Sequence, residues 1–171
     1  MLFSQSMNAA INAQIGREFG ASLQYVSIAS YFDRESLPQL ASHFYRQADE
    51  ERDHAMRFVH FVNDAGGHVR IPAVPEPQPD FASAEEAVQL ALKWEETVTR
   101  QINDLVDLAL KENDHISKSF LDWFVTEQLE EVSSMDTLLN TIRRAGPQGL
   151  LFVEAYIARG NKQAAANEAS A

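Results

Sequence analysis

The chain has 171 residues, enough for one domain, and its composition excludes several classes of function. It contains no cysteine, so any metal ion must be held by oxygen and nitrogen ligands rather than thiolates. The formal net charge of -11 disfavours binding to nucleic acid or to anionic membranes and favours cationic partners. Residues 1–15 lack both a basic leader and a continuous apolar run, so we expect no secretory signal or membrane span and predict a cytoplasmic protein.

Four long segments have the hydrophobic periodicity of amphipathic helices and very little glycine. Proline occurs in them only in the first turn of the second segment, where a helix tolerates it. Ser36 with Gln39 and Ser83 with Glu86 predict capping boxes at the starts of the second and third helices. The predicted helices are residues 6–33, 37–64, 84–112 and 116–145.

The connections between these segments differ in length. Short turns follow the first and third helices, so each flanking pair is predicted to form an antiparallel hairpin. Residues 66–82 contain four prolines and are predicted to be extended, running the length of the bundle to start the third helix near the beginning of the first. The sequence therefore predicts an all-α fold, an antiparallel four-helix bundle with one long crossover between helices two and three.

The region after the fourth helix divides into an apolar run and a polar tail. Residues 150–157 are mostly apolar and predict a short fifth helix at the C-terminal end, packed on the bundle or against other subunits. This run is too short to span a membrane. The last residues are small and polar, so we predict one domain over residues 1–160 and a disordered tail over residues 161–171.

Each predicted helix has one seam facing the bundle axis, found by taking positions spaced alternately by three and four. The seams are mostly apolar, and polar side chains interrupt each of them. None of the four seams contains lysine or arginine. The interrupting residues that carry a potential metal ligand are Glu18 in the first helix, Glu51 and His54 in the second, Glu95 in the third, and, in the fourth, Glu131 with the amide of Gln128 one turn before it.

These six residues are expected to lie at one level of the bundle. Two residues of a helical hairpin lie level when they are equally far from the turn, because both helices rise equally per residue. Glu18 and Glu51 have their midpoint at 34.5, within the first turn, and Glu95 and Gln128 have theirs at 111.5, next to the second. Both pairs are 33 residues apart and the two hairpins are offset by 77. The bundle is therefore a pseudo-repeat that can bring all six groups together.

A metal site explains this polar layer better than a structural role does. For any single residue, a satisfied core group or a side chain reaching solvent is the simpler interpretation. For the whole set that interpretation fails, because several ionised carboxylates in one dry layer without a compensating cation cost many kcal/mol. Two bound divalent ions remove that cost. One Glu from each of two helices and a Glu-x-x-His from each of the others is the di-iron pattern of bundle proteins. Here the second motif is Gln128-x-x-Glu131, so we predict two unequal metal positions.

In these motifs the chain resembles the bacterial non-haem ferritins, members of the ferritin-like di-iron family. The resemblance extends from the first helix through the fifth and is carried by Glu18 with Tyr25, Glu51-Arg-Asp-His54, Glu95, and the run from Trp123 to Glu131. It implies a first iron held by Glu18, Glu51 and His54. It implies a second iron served by Glu51, Glu95 and Glu131, with Gln128 beside it and Glu51 bridging the two.

The same resemblance implies an activity and an assembly. Two ferrous ions per subunit would be oxidised by dioxygen, and the ferric product would enter a mineral core inside a hollow cage of 24 subunits. Tyr25 and Trp123 match aromatic positions near the centre of the family's site. Each either supplies electrons or is a core aromatic with a hydrogen-bonded tip.

Further positions either match or depart from the family pattern. Glu50, Glu127 and Glu130 match an accessory iron site and, with Asp53, either guide ferric ions inward or form a solvated acidic face. No haem is expected, because bacterioferritins place a haem-ligating Met where Arg52 stands and end their second motif in His rather than Glu. Lys118 and Leu121 stand where ferritins with an acidic three-fold pore carry carboxylates, so the sequence does not predict by which route iron enters.

Three other functions are compatible with a helical bundle that carries buried acids. A di-iron oxygenase or peroxidase needs a substrate pocket, whereas these seams are filled with Phe, Leu and Ile above and below the polar layer. The small dodecameric ferritins that protect nucleic acid bind metal between subunits and lack a fifth helix. A metal-free interaction protein would use the acids only structurally.

Overall fold

The computed structural model describes the backbone of residues 1–168 and the side chains of residues 1–161. Within that range the chain is helical and contains no strand, so the predicted all-α bundle is confirmed. Every boundary of the first four helices lies within one residue of its predicted position. None of the described helices combines the length and the apolarity that crossing a membrane requires. The helices are α1 (Gln5–Arg34), α2 (Pro38–Asp64), α3 (Ala84–Glu112), α4 (His115–Ala145) and α5 (Leu150–Glu168), and a 3-10 turn (Pro147–Gly149) precedes α5.

The four long helices form two hairpins, α1 with α2 and α3 with α4, which meet mainly where α1 packs against α3. Their apolar seams bury two separate clusters. One cluster surrounds Phe32 and Phe44, whose rings stack at 5.6 Å, and the other surrounds Phe58 and Phe124, which stack at 4.2 Å. Burying an aromatic side chain of this size contributes about 1.5–3 kcal/mol. The two clusters lie on either side of the polar layer and hold the four helices around it.

The crossover of residues 66–82 is extended, as its prolines predict, and amide side chains on α1 hold it in place. Asn12 donates to the carbonyl of His68 and accepts from the backbone N–H of Arg70, both at 2.8 Å. Gln24 pairs with both backbone groups of Gln78, at 3.1 and 2.8 Å. A side-chain amide carries both donor hydrogens and an acceptor oxygen, so it can pair with a backbone C=O and N–H of the crossover as the backbone of a neighbouring strand would. The crossover therefore has a fixed register along α1.

The crossover ends at the far end of the bundle from where it starts. Arg34 at the end of α1 lies 3.3 Å from Asp80, and Phe81 packs against Tyr31. The expectation that α3 begins near the start of α1 was therefore wrong. Because α2 returns to the start of α1, a linker that then runs the full length of the bundle must finish beside the end of α1. This makes α3 antiparallel to α1 and completes the predicted antiparallel bundle.

The starts of α2 and α3 are capped in different ways. Ser83 caps α3 as predicted, because its hydroxyl accepts from the backbone N–H of Glu86 at 3.1 Å. Ser36 does not cap α2, since it lies in the turn with φ of 60°, and the capping box predicted with Gln39 was wrong. The acceptor is instead Glu154 of α5, which lies 2.8 Å from the backbone nitrogen of Gln39.

The fifth helix is longer than its apolar run. It begins at Leu150 as predicted but continues to Glu168, so residues 161–168 are helical where the composition predicts a disordered tail. Three consecutive alanines at residues 164–166 explain the difference, because alanine has the highest helix propensity. Residues 169–171 lie outside the described part of the chain. That residues 1–160 form one domain stays a prediction.

Candidate metal centre

The six polar seam residues lie together between the two apolar clusters, as their equal spacing from the turns predicts. All six are buried, with Glu18, Glu51 and Glu95 at most 1% exposed. Potential ligand atoms gather in three sets, each with all members within 4.8 Å of one another. The sets are Glu18, Glu51 and His54; Glu51, Glu95 and Glu131; and His54, Glu127 and Glu131.

At one end of the layer, Glu18 and His54 face Glu51. The Nδ1 atom of His54 lies 3.5 Å from Oε2 of Glu51. Oε1 of Glu18 accepts a hydrogen bond of 2.7 Å from the side chain of Gln14, whereas no N–H or hydroxyl group donates to Oε2, whose hydrogen-bonding neighbour is the Glu51 carboxyl. Two carboxyl groups can pair only when one of them is protonated, and a cation bound among these atoms would replace that proton.

At the other end, Glu95 is held through both of its carboxylate oxygens. The Tyr25 hydroxyl donates to Oε1, and the Gln128 amide nitrogen donates to Oε2 at 3.2 Å. The same nitrogen lies 3.2 Å from the hydroxyl of Thr99. Gln128 therefore meets the centre as a donor to Glu95, although the resemblance only predicts it as a polar group beside the second metal position.

The buried carboxyl groups favour their protonated forms when no ion is bound. Burial, followed by repulsion from Glu51, raises the pKa of Glu18 well above its ordinary value, and burial with repulsion from Glu95 does the same for Glu51. Burial also raises the pKa of Glu95, and it raises that of Glu131 to about 8 with help from the charge of Glu95. A divalent cation would replace these protons and restore the charged carboxylates.

Tyr25 stays protonated in this setting. Burial, followed by the charge of Glu95, raises the pKa of its hydroxyl well above the ordinary value of 10.0. A phenol in this state donates its hydrogen bond to Glu95. The edge of its ring also packs against Phe44 at 5.7 Å. Tyr25 is thus a core aromatic whose hydroxyl contacts a potential metal ligand directly.

The imidazole of His54 is fixed by aromatic neighbours on α4. The rings of Trp123 and Phe124 meet it edge to face at 5.5 and 5.8 Å. The guanidinium carbon of Arg57 lies 3.6 Å above the Trp123 ring, a cation–π contact that holds the indole in turn. Trp123 thus touches a potential ligand, which is compatible with either of its predicted roles.

The acidic residues beside the seams lie on a cleft between α2 and α4. The cleft has a volume of about 280 Å³, and Glu50, Glu127 and Glu130 line it together with Glu131 of the polar layer. Oε1 of Glu127 lies 3.9 Å from Nε2 of His54. Asp53 is exposed and is not part of this lining. The structure therefore brings three of the four predicted accessory acids to an opening that reaches the centre.

Comparison with known proteins assigns the family. A family model described as the Ferritin-like domain matches residues 8–145. The chain is also 44% identical over 160 residues to the ferritin BfrB of Mycolicibacterium smegmatis, covering 94% of this chain and 88% of that protein. The chain belongs to the ferritin family. A bacterial non-heme ferritin of Staphylococcus aureus is 37% identical to this ferritin over 145 residues, covering 85% of this chain and 87% of the relative.

Solved ferritin structures have the same fold. An open pore ferritin from the hyperthermophilic archaeon Archaeoglobus fulgidus superposes with a TM-score of 0.89 and 35% sequence identity, covering 91% of this chain and 96% of that one. The predicted resemblance to bacterial ferritins is confirmed by these matches.

Sequence reasoning missed one buried polar residue of this ferritin's polar layer. Gln14 lies on the flank of the first seam rather than in it, and its amide contacts Glu18. The signal available in the sequence was its position four residues before Glu18, which places both side chains on one face of α1.

Proposed function

We propose that the chain is an iron-storage ferritin subunit that oxidises Fe(II) with dioxygen at a di-iron centre within one subunit. The ferric product would be deposited as mineral inside a 24-subunit cage. The observation that carries the proposal is the buried convergence of four glutamates and His54. Within residues 1–161 no lysine or arginine forms an ion pair with these glutamates. The ferritin names of the relatives support the same function.

The three-residue sets support the predicted division of ligands. Glu18, Glu51 and His54 would bind the first ion, and Glu51, Glu95 and Glu131 the second, because the potential ligand atoms within each set lie within 4.8 Å of one another. Glu51 belongs to both sets and would bridge the two ions. Gln128 would act through its hydrogen bond to Glu95 rather than as a direct ligand.

The reaction would use the iron ions as substrates. Two ferrous ions would each give up one electron to the same dioxygen, which would take up two protons and leave as hydrogen peroxide, and the negative carboxylates would stabilise the ferric ions. The first position has an imidazole ligand and the second only carboxylates, so the two positions would hold iron unequally. The second position also opens through Glu131 to the acidic cleft that Glu50, Glu127 and Glu130 line. Ferric ions would leave by this cleft toward the store.

The family resemblance supports the 24-subunit assembly and the occupancy of two ions per subunit. The proposal also includes a cytoplasmic location and the absence of haem. The arrangement at Arg52 supports the absence of haem, because an exposed arginine stands where bacterioferritins carry their methionine.

Titration of the apoprotein with ferrous iron in air tests the function. Storage predicts rapid oxidation followed by retention of many hundreds of irons per assembly. Uptake that stops at two irons per chain would reject storage and favour a catalytic di-iron enzyme. The assembly is tested separately by sedimentation, where a monomer or dimer would contradict the cage. Apoprotein preloaded with redox-inert Zn(II) is the control, and it should lose the rapid phase of oxidation.

A further inference from the structure

We propose that Gln14 is a positioning residue that holds one oxygen of Glu18 and presents the other as the ligand atom for the first metal ion. This inference deepens the proposed function and rests on it, because it assigns the residue that sets how Glu18 meets the ion. Gln14 itself would not touch the metal.

The geometry around Glu18 carries the first step. Gln14 is 0% exposed and lies one helical turn before Glu18 on α1. Its Nε2 donates to Oε1 of Glu18 at 2.7 Å, a short hydrogen bond that gains charge assistance once a bound ion keeps Glu18 ionised. No N–H or hydroxyl group donates to Oε2 of the same carboxylate, whose hydrogen-bonding neighbour is the Glu51 carboxyl, and it lies within the set that also contains Glu51 and His54. Gln14 therefore occupies one oxygen, and an ion that displaces the proton shared with Glu51 can bind the other.

The orientation of the Gln14 amide is fixed from its other end. The NH1 atom of Arg17 donates to Oε1 of Gln14 at 3.0 Å. A guanidinium group can only donate, so the amide oxygen must face Arg17 and the amide nitrogen must face Glu18. A flipped amide would bring two donors together at Arg17 and two acceptors together at Glu18. Arg17 therefore fixes which end of the Gln14 amide faces Glu18, and so fixes Gln14 as the donor in that hydrogen bond.

This arrangement is confined to one half of the pseudo-repeat. The residue that corresponds to Gln14 in the second hairpin, offset by 77, is Ala91, which cannot donate a hydrogen bond from its side chain. Glu95 is held instead by Tyr25 and Gln128, which occupy both of its oxygens. Of these two glutamates, Glu18 alone keeps an oxygen to which no N–H or hydroxyl group donates, so the effect of Gln14 should be specific to the first ion.

Binding of Co(II), a redox-inert probe in this setting, tests the proposal without any oxidation step. Gln14→Leu removes the donor while nearly keeping the volume. It should weaken the first Co(II) binding step by about 10–100-fold, as loss of a ligand's supporting hydrogen bond does, and leave the second step unchanged. The visible bands of the first Co(II) should change in intensity, because Glu18 becomes free to bind through both oxygens.

The matched control is Gln24→Leu. Gln24 is a buried glutamine of the same helix, 2% exposed, but its amide bonds to the backbone of Gln78 in the crossover. This variant should lose a similar amount of thermal stability and keep both Co(II) steps and the Co(II) spectrum. If both leucine variants weakened Co(II) binding equally, Gln14 would have only a structural role and the proposal would be overturned.

A surface variant keeps the test valid if Gln14→Leu does not fold. Arg17→Met alters an exposed residue and leaves the Gln14 amide free to flip, so the first Co(II) step should weaken by several-fold. If the first Co(II) bound to this variant with unchanged affinity, the conclusion that Arg17 fixes the orientation of the Gln14 amide would be overturned.

Measuring Fe(II) oxidation by the unaltered protein shows whether a failed test rejects the role of Gln14 or the proposed ferroxidase function. If the unaltered protein binds two Co(II) ions but does not oxidise Fe(II), the ferroxidase function is rejected while Gln14 is still decided by the Co(II) data. If it oxidises Fe(II) and Gln14→Leu has an unchanged Co(II) affinity and spectrum, the function stands and the positioning role is overturned.

Discussion

Glu154 of α5 bonds to the backbone nitrogen of Leu40 at 2.8 Å, across 114 residues of sequence. It therefore supplies to α2 the N-terminal cap that no local side chain supplies. Because losing a cap of this kind costs about 0.5–2 kcal/mol, Glu154→Ala should lower the free energy of unfolding by that amount. The variant should also loosen the docking of α5. Thermal unfolding followed by circular dichroism measures the first effect, and hydrogen exchange of α5 amides measures the second.

Glu96→Ala is the control for this change, because Glu96 is an exposed glutamate on α3. Its melting temperature should differ little from that of the unaltered protein. Equal melting temperatures for the two alanine variants would mean that Glu154 contributes nothing as a cap.

The buried carboxyl groups predict that the apoprotein loses stability as the pH rises. Their folded pKa values lie above the ordinary 4.5, so the folded chain binds more protons than the unfolded chain. This contribution is complete below about pH 4.5 and is lost as the pH rises through the folded values, which for Glu131 means about 8. We expect a falling melting temperature across this range, measured on metal-free protein in buffers of constant ionic strength.

Glu131→Gln isolates one part of that dependence. It should flatten the decline in melting temperature, whereas Glu96→Gln, at an exposed position, should leave the decline unchanged. Zn(II) should reverse the trend in the unaltered protein, since protons compete with the ion for the same carboxylates. A metal-free protein that gains stability between pH 5 and pH 8 would contradict the raised pKa values of these groups.

The sequence predicts most of the fold because local and global signals agree. Hydrophobic periodicity defines the four helices, and the equal distances of Glu18 and Glu51 from the first turn place them at one level without any tertiary information. The long-range interactions were not predictable in this way. The cap from Glu154 lies 115 residues from Gln39, and nothing near Ser36 indicates that the local serine would be unused. The position of α3 depends on the path of α2, which returns to the start of α1, so that a crossover as long as the bundle ends beside the end of α1.

The polar layer was predicted through seam positions, and this explains which residue was missed. Gln14 is buried on the flank of α1, where it contacts Glu18 and Arg17 of the same helix. A seam one residue wide on each turn does not include such positions. The ligand roles of the six seam residues stay predictions that depend on metal-binding experiments.

Gly16 is predicted to be intolerant of a side chain, because the crossover packs directly against it. A Cβ atom at this position would lie 2.3 Å from Cγ of Pro72. The proline ring is rigid and its segment is held by the Asn12 hydrogen bonds, so the crossover would have to shift as a unit. Gly16→Ala should destabilise the protein by about 1–3 kcal/mol, as overpacking does, and expose the crossover to limited proteolysis.

Gly160→Ala is the matched control for this change. Gly160 lies on α5, and a Cβ atom there would meet nothing within 4 Å. Alanine is favoured over glycine in a helix by about 1 kcal/mol, so this variant should be neutral or slightly stabilised. If both alanine variants had the same melting temperature, the close approach of Pro72 would not be a constraint on the fold.

Tyr25→Phe distinguishes an orienting role from electron supply. The variant keeps the ring that packs on Phe44 but removes the donor to Glu95. If Tyr25 orients Glu95, the second metal ion should bind more weakly and oxidation should slow, while the ratio of iron oxidised to dioxygen consumed stays constant. If Tyr25 supplies electrons, that ratio should change at an unaltered binding affinity. Oxygen-electrode measurements combined with Co(II) titration give both quantities.

The double variant Glu18→Ala, His54→Ala tests the assignment of the first iron position most directly. It removes the two proposed ligands that belong to that position alone and retains Glu51, Glu95 and Glu131. Rapid Fe(II) oxidation should be abolished, since a single bound ferrous ion supplies only one of the two electrons that the reaction with dioxygen needs. The assembly should keep its sedimentation behaviour, because both side chains are buried within one subunit. Glu96→Ala should retain the rapid phase, and a double variant with unchanged kinetics would mean that oxidation takes place elsewhere on the protein.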